Sequence, residues 1–149
     1  MEKARQVKIH FPLEVEEDNF PPISVETLNG FCQGNGAVKL DNTPFFVTSI
    51  ALGDEIKYKK RKNEEGYWYD SVQLESGNKA LSIIFLEAGY EEEIYQNLRS
   101  LGCYCEYGKF GAFNMLAVCV LKNQMYLKVA SYLDKLETLG LISYAELCV

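Results

Sequence analysis

Histidine occurs once in this sequence, at position 10, so a zinc site that depends on several histidines cannot be built within one chain. Apolar runs are short. The longest, Met115 to Leu121, falls far below the roughly 20 residues that span a bilayer. The opening Met1-Glu2-Lys3-Ala4-Arg5-Gln6 has no apolar stretch after its charges, which argues against a signal peptide. No glycine loop cradles a phosphate either: Gly30-x-x-x-Gly34-x-Gly36 has no downstream lysine and no strand-to-helix setting. Net positive charge is missing too. Fifteen Lys+Arg stand against 21 Asp+Glu, a formal charge of −6. That balance disfavours nucleic acid and membrane surfaces and suits a basic partner. Cysteine is present but odd in number (Cys32, Cys103, Cys105, Cys119 and Cys148), which fits free thiols in a reducing cytoplasm.

What is there reads as a soluble-type α+β chain of 149 residues, 48% hydrophobic and 24% charged. The first half reads as strands. Gln6 to Val15 alternates around Val7, Ile9, Phe11 and Leu13, with Pro12 suggesting an edge or a bulge. Val25–Cys32 and Ala37–Leu40 flank Gly34-Asn35-Gly36, a hairpin signal. Phe45 to Ile50 reads as a further strand. Glu55 to Lys60 then pairs with Tyr67 to Leu74. Short strands at this spacing predict a small antiparallel sheet or partly open barrel over residues 1–79.

Residues 80–149 change pattern. Leu81 to Leu86 is a continuous apolar strand. Glu91 to Leu101 carries Ile94, Leu98 and Leu101 at helical spacing, with Gly102 as the stop. Cys103–Tyr107 is a short strand, Gly108 and Gly111 flank a turn, and Phe113–Leu121 is a strong strand. Gln124–Leu139 is a helix with Met125, Val129, Tyr132, Leu133 and Leu136 toward the core. Ile142–Val149 is the last strand. The order β-α-β-β-α-β is that of the ferredoxin-like fold, whose first and third strands are central. Here those two strands are the most apolar. The negative charge is shared equally between the halves, and the boundary near Ser76-Gly77-Asn78 is too short for a linker, so the halves are expected to pack as one unit.

Three blocks carry a resemblance: Val7-Lys8-Ile9-His10-Phe11-Pro12-Leu13, Phe20-Pro21-Pro22-Ile23-Ser24-Val25-Glu26, and Leu40-Asp41-Asn42-Thr43-Pro44-Phe45-Phe46-Val47 followed by Ala51-Leu52-Gly53-Asp54-Glu55-Ile56. Together they resemble a bacterial family known as a domain of unknown function, of similar length. The Asp-Asn-x-Pro-Phe-Phe block with its following Gly-Asp is the best match. The resemblance implies a bacterial, cytosolic, single-unit protein. By analogy, small acidic proteins of this sort are often immunity proteins encoded beside toxins.

Each chemical constellation competes with an ordinary structural reading. Cys103 and Cys105 share a strand face, where thiols pack as small hydrophobes, and no second cysteine pair or histidine completes a metal or redox site. His10 lies opposite the Val7/Ile9/Phe11 face and is expected to be exposed, with no nucleophile signature around it. Asp41, Asp54 and Glu55 sit in turn chemistry rather than an evident acid–base pair. The basic run Lys57, Lys59, Lys60, Arg61 and Lys62 suits a solvated hairpin tip. Neither a catalytic set, nor a metal site, nor a cofactor motif is visible.

Aromatics and carboxylates say more. Tyr67-Trp68-Tyr69 are consecutive on a strand, so they cannot all enter one core. Trp68 and Tyr69 are candidate anchors for a partner, and Glu91, Glu92 and Glu93 candidate charges, although a helix N-terminus favours such glutamates anyway. Glu14, Glu16, Glu17 and Asp18 form a second acidic cluster. The leading functional expectation is a non-enzymatic binding protein, an immunity or antitoxin-type inhibitor occluding a basic bacterial toxin such as a nuclease. The alternatives are a small-molecule-sensing or regulatory domain, and an enzyme whose site is scattered along the sequence.

Overall fold

A computed structural model describes residues 5–149. The opening Met1–Ala4, read above as part of a leaderless start, lies outside the described residues. Five strands close into a barrel in the order β1 (Gln6–Pro12), β2 (Val25–Cys32), β3 (Ala37–Leu40), β4 (Glu55–Lys59), β5 (Tyr67–Leu74). Neighbouring pairs are antiparallel except the closing one. There β1 and β5 run parallel, pairing Ile9 with Tyr67 and His10 with Trp68. The barrel is therefore closed rather than partly open, and Pro12 simply ends β1. Alternation buries Ile9, Phe11, Leu28, Val38, Leu40 and Ile56 inside, with Val47 and Ile50 as a plug.

The second half follows as β6 (Lys79–Phe85), α1 (Glu91–Ser100), β7 (Cys103–Phe110), β8 (Phe113–Val120), α2 (Tyr126–Thr138) and β9 (Ile142–Cys148). The sheet order is β7-β8-β6-β9, which puts β6 and β8 in the middle, as their unbroken apolar runs require. Leu81, Ile83, Leu116, Val118 and Val120 face the helices and meet Ile94, Leu98, Val129, Leu133 and Leu136. Cys103 and Cys105 pack in this same layer. Hydroxyls of Tyr126 and Tyr144 donate to Glu146 and Asp134, tying α2 to β9. This is the α+β architecture read from the sequence.

Four local readings need correction. Phe45–Ile50 is a loop, because its backbone N–H groups go to a side-chain carboxylate and a distant carbonyl instead of a neighbouring strand. Gly108 lies within β7 rather than beside its turn. There the ring of Phe45 comes so close that a Cβ would sit 2.6 Å from it. Met125 precedes α2 and is exposed rather than core-facing. His10 is half-buried rather than exposed: its Nδ1 lies 2.8 Å from Thr27 Oγ1 and its ring is 5.1 Å from Trp68.

The two halves meet on the sheet face that the helices leave open. Phe20 packs edge-on against Phe113, and Phe45 and Phe46 against Phe110. The Ser49 N–H donates to the Leu147 carbonyl at 2.8 Å, and Asn78 bridges Leu52 and Lys122.

Candidate functional site

Residues 41–54, which hold the Asp-Asn-x-Pro-Phe-Phe and Gly-Asp blocks, form one long loop from β3 to β4. It has no ladder of its own, so its backbone donors need partners. Glu26, buried on β2, supplies three of them. Its Oε2 accepts from Phe45 N at 2.7 Å, and its Oε1 from Phe46 N at 3.0 Å and Val47 N at 2.9 Å. Burial pushes the Glu26 carboxyl above its usual range, against the pull of these three donors. Glu106 on β7 accepts from Thr43 N and Asn42 Nδ2, and Asp54 accepts from Ala51 N and Ser76 N. Asn42 in turn accepts from Asn29 N at 2.7 Å. Three carboxylates thus fix the loop, and the acid–base pair weighed for Asp41, Asp54 and Glu55 is not assembled: Asp54 is spent on backbone donors and Asp41 is exposed.

The fixed loop roofs a cavity. Phe45 and Phe46, with Phe20 and Pro21, stand over the open sheet face above Ser82 and Ile84 of β6, Met115 of β8, and Ser143, Ala145 and Leu147 of β9. The space is about 210 Å³ and half-open to solvent, with Ser143 and Ala145 of its lining exposed. Ser82, Ser143 and Ala145 contribute small side chains to its lining. Among the described residues, Ser82 Oγ is buried with no hydrogen-bond partner.

The residues singled out from sequence fall in separate places. Tyr69 points toward the barrel interior and stacks on Phe11 at 4.9 Å. Trp68 points outward, and its own hairpin covers it: the Arg61 guanidinium lies 4.1 Å over its ring, and its Nε1 donates to the Glu65 carbonyl. These two therefore do not share a face. Glu91, Glu92 and Glu93 occupy the first turn of α1. Glu91 accepts from Gly89 N, and Glu92 from Gln96 Nε2. Beside them, the rings of Tyr95 and Tyr107 stack at 5.1 Å and 17°, and the Tyr107 hydroxyl donates to the Glu91 carbonyl. Burial, then the charge of Glu92, raises the Tyr107 pKa. The basic run lies at the hairpin tip, where Lys59 faces Asp70 and Arg61 faces Glu64. Burial pushes the Cys103 thiol up to about 11 and those of Cys105 and Cys119 up to about 12, which makes them poor nucleophiles.

Sequence reading missed Glu26, Ser82 and the Tyr95/Tyr107 pair. Glu26 did carry a signal, since it shares the inward parity of Leu28 on β2. The tyrosines are 12 residues apart, and only the packing of α1 against β7 brings them together.

Barrel, clamped loop and βαββαβ half together define a two-part α+β protein with an apolar cavity at the junction of its parts. The chain belongs to the family described as a domain of unknown function, DUF4265, whose model matches residues 26–144. No curated protein matches the chain. Its structure is similar to that of a hypothetical protein from Neisseria gonorrhoeae, with a TM-score of 0.79, 18% sequence identity, and coverage of 99% of this chain and 97% of that one. At that identity the likeness is one of fold. Among the described residues no helix is long and apolar enough to cross a membrane.

Proposed function

We propose that the protein is a non-enzymatic binding protein that occludes a cationic protein partner, in the manner of an immunity protein against a basic toxin. The observation that supports this reading is the surface where α1 meets β7. There Glu91 and Glu92 border the stacked Tyr95–Tyr107 pair, and Tyr107 is 50% exposed. Carboxylates would draw a basic partner in, and a rigid tyrosine would supply the desolvated contact. Trp68 and Tyr69 are less suited to that role, being engaged within the hairpin and the barrel.

The test is capture of a partner from the native host, followed by binding at low and high salt. Association should slow as salt screens the −6 charge. Glu91→Lys/Glu92→Lys should weaken binding at low salt by at least tenfold, and Tyr107→Ala should cost about 2 kcal/mol at any salt. Trp68→Ala should leave affinity unchanged. A captured partner whose binding ignores both salt and the α1 substitutions would rule this surface out.

A further inference from the structure

We infer that the cavity between the two halves is a binding site for a small, neutral, hydroxyl-bearing aromatic molecule of about the size of a substituted phenol. The inference is independent of the partner surface on α1, and its test uses no partner.

Size comes first. A cavity of about 150 Å³ lined by aliphatic and aromatic side chains accommodates benzene, whereas one water takes about 30 Å³. The 210 Å³ here suits a single ring with one or two substituents and is far too large for one water. Shape comes next. Phe20, Phe45 and Phe46 form the roof, and Ile84, Met115 and Leu147 the floor. Phe20 and Phe46 already meet each other edge-on at 5.8 Å, the geometry by which aromatic walls receive a further ring.

Chemistry narrows the class further. Ser82 is 4% exposed, and its hydroxyl lacks any partner. A buried hydroxyl left unpaired is costly, and one hydrogen bond from a ligand would remove that cost. Both Ala117 and Ala145, its cross-strand neighbours, are too small to cover it and offer no polar side-chain atom. No Lys, Arg or His lines the space, and the Glu26 carboxylate holds the roof loop from behind. An anionic ligand would find no counter-charge there. A neutral hydroxyl can donate to Ser82 or accept from it.

The probes are p-cresol and p-xylene, which share a shape and differ in one hydroxyl. In the intact protein, either ligand at millimolar concentration or below should shift the methyl resonances of Met115 and Ile84. Ser82→Ala should reduce the preference for p-cresol over p-xylene by about three- to tenfold, the worth of one net hydrogen bond. The same variant should be at least as stable as the native protein, because it removes an unpaired hydroxyl. Ala145→Leu should fill the space and abolish both ligand-induced shifts. Should that variant fail to fold, contacts between the p-cresol ring and the Met115 methyl in the native protein decide the location. Absence of any shift at Met115 and Ile84 with both probes, or an unchanged preference in Ser82→Ala, would overturn the inference.

Discussion

A single buried glutamate holds more of this protein together than its place in the sequence suggests. Glu26 accepts three backbone N–H groups from Phe45, Phe46 and Val47. Replacing it by glutamine puts an NH2 group against one of those donors, so Glu26→Gln should lose about 1–3 kcal/mol in denaturant unfolding at pH 7. The pH dependence carries a definite sign. Burial raises the folded-state pKa above the ordinary 4.5, so the folded protein holds this proton to higher pH than the unfolded chain. The associated stability is complete below the unfolded value and is lost as pH rises through the folded one. The stability gap between wild type and Glu26→Gln should therefore widen as pH falls from 7 toward 4.5. A gap that widens with rising pH would mean that the three donors outweigh burial. Thiols offer a second residue-scale check. Cys32 and Cys148 are half-buried, the Cys148 thiol raised by its partial burial, while Cys103, Cys105 and Cys119 are buried with thiols pushed up to about 11 or 12. Alkylation of native protein at pH 8 should modify the first two, and the other three should react only on unfolding. At this scale the sequence was partly legible. The shared face of Cys103 and Cys105 followed from strand periodicity, whereas Ser82 looked like any serine until its strand neighbours were known.

Strands and helices were legible where a period ran uninterrupted. The alternation in β1 and β2, and the central position of β6 and β8, follow from the apolar pattern together with the rule that exposed apolar edges aggregate. Phe45–Ile50 was not legible, since an apolar segment after Pro44 looks the same whether its N–H groups meet a strand or a carboxylate about 20 residues earlier. The tyrosine pair on α1 and β7 escaped for the same reason: contacts across elements leave no local period. Fitting Phe45 against β7 depends on Gly108, where a Cβ would stand 2.6 Å from the Phe45 ring and 2.9 Å from that of Phe110. Gly108→Ala should cost about 1–3 kcal/mol by overpacking. Combining it with Phe45→Leu should give a smaller loss than the sum of the two single changes. Additivity in that double-mutant cycle would show that the two positions do not interact.

Barrel and sheet each have a core, yet the phenylalanines between them and the Thr43–Glu106 and Ser49–Leu147 hydrogen bonds join the cores into one body. Calorimetry should record a single transition whose van't Hoff and calorimetric enthalpies agree. Two resolved transitions would show that the halves melt separately. That joining also sets an order of events on the ribosome. Everything needed to close the barrel has been synthesised once Leu74 is added, but the loop that belongs to it waits for Glu106 and then Leu147, roughly 70 residues later. At roughly 5–20 residues per second, the 36 residues from Leu74 to Phe110 take about 2–7 s, during which Phe45 and Phe46 lack the ring on which both pack. A truncation that removes only β9 would keep Phe110 against Phe45 and Phe46 but take away the Leu147 carbonyl that accepts from the Ser49 N–H, leaving the end of the loop untied.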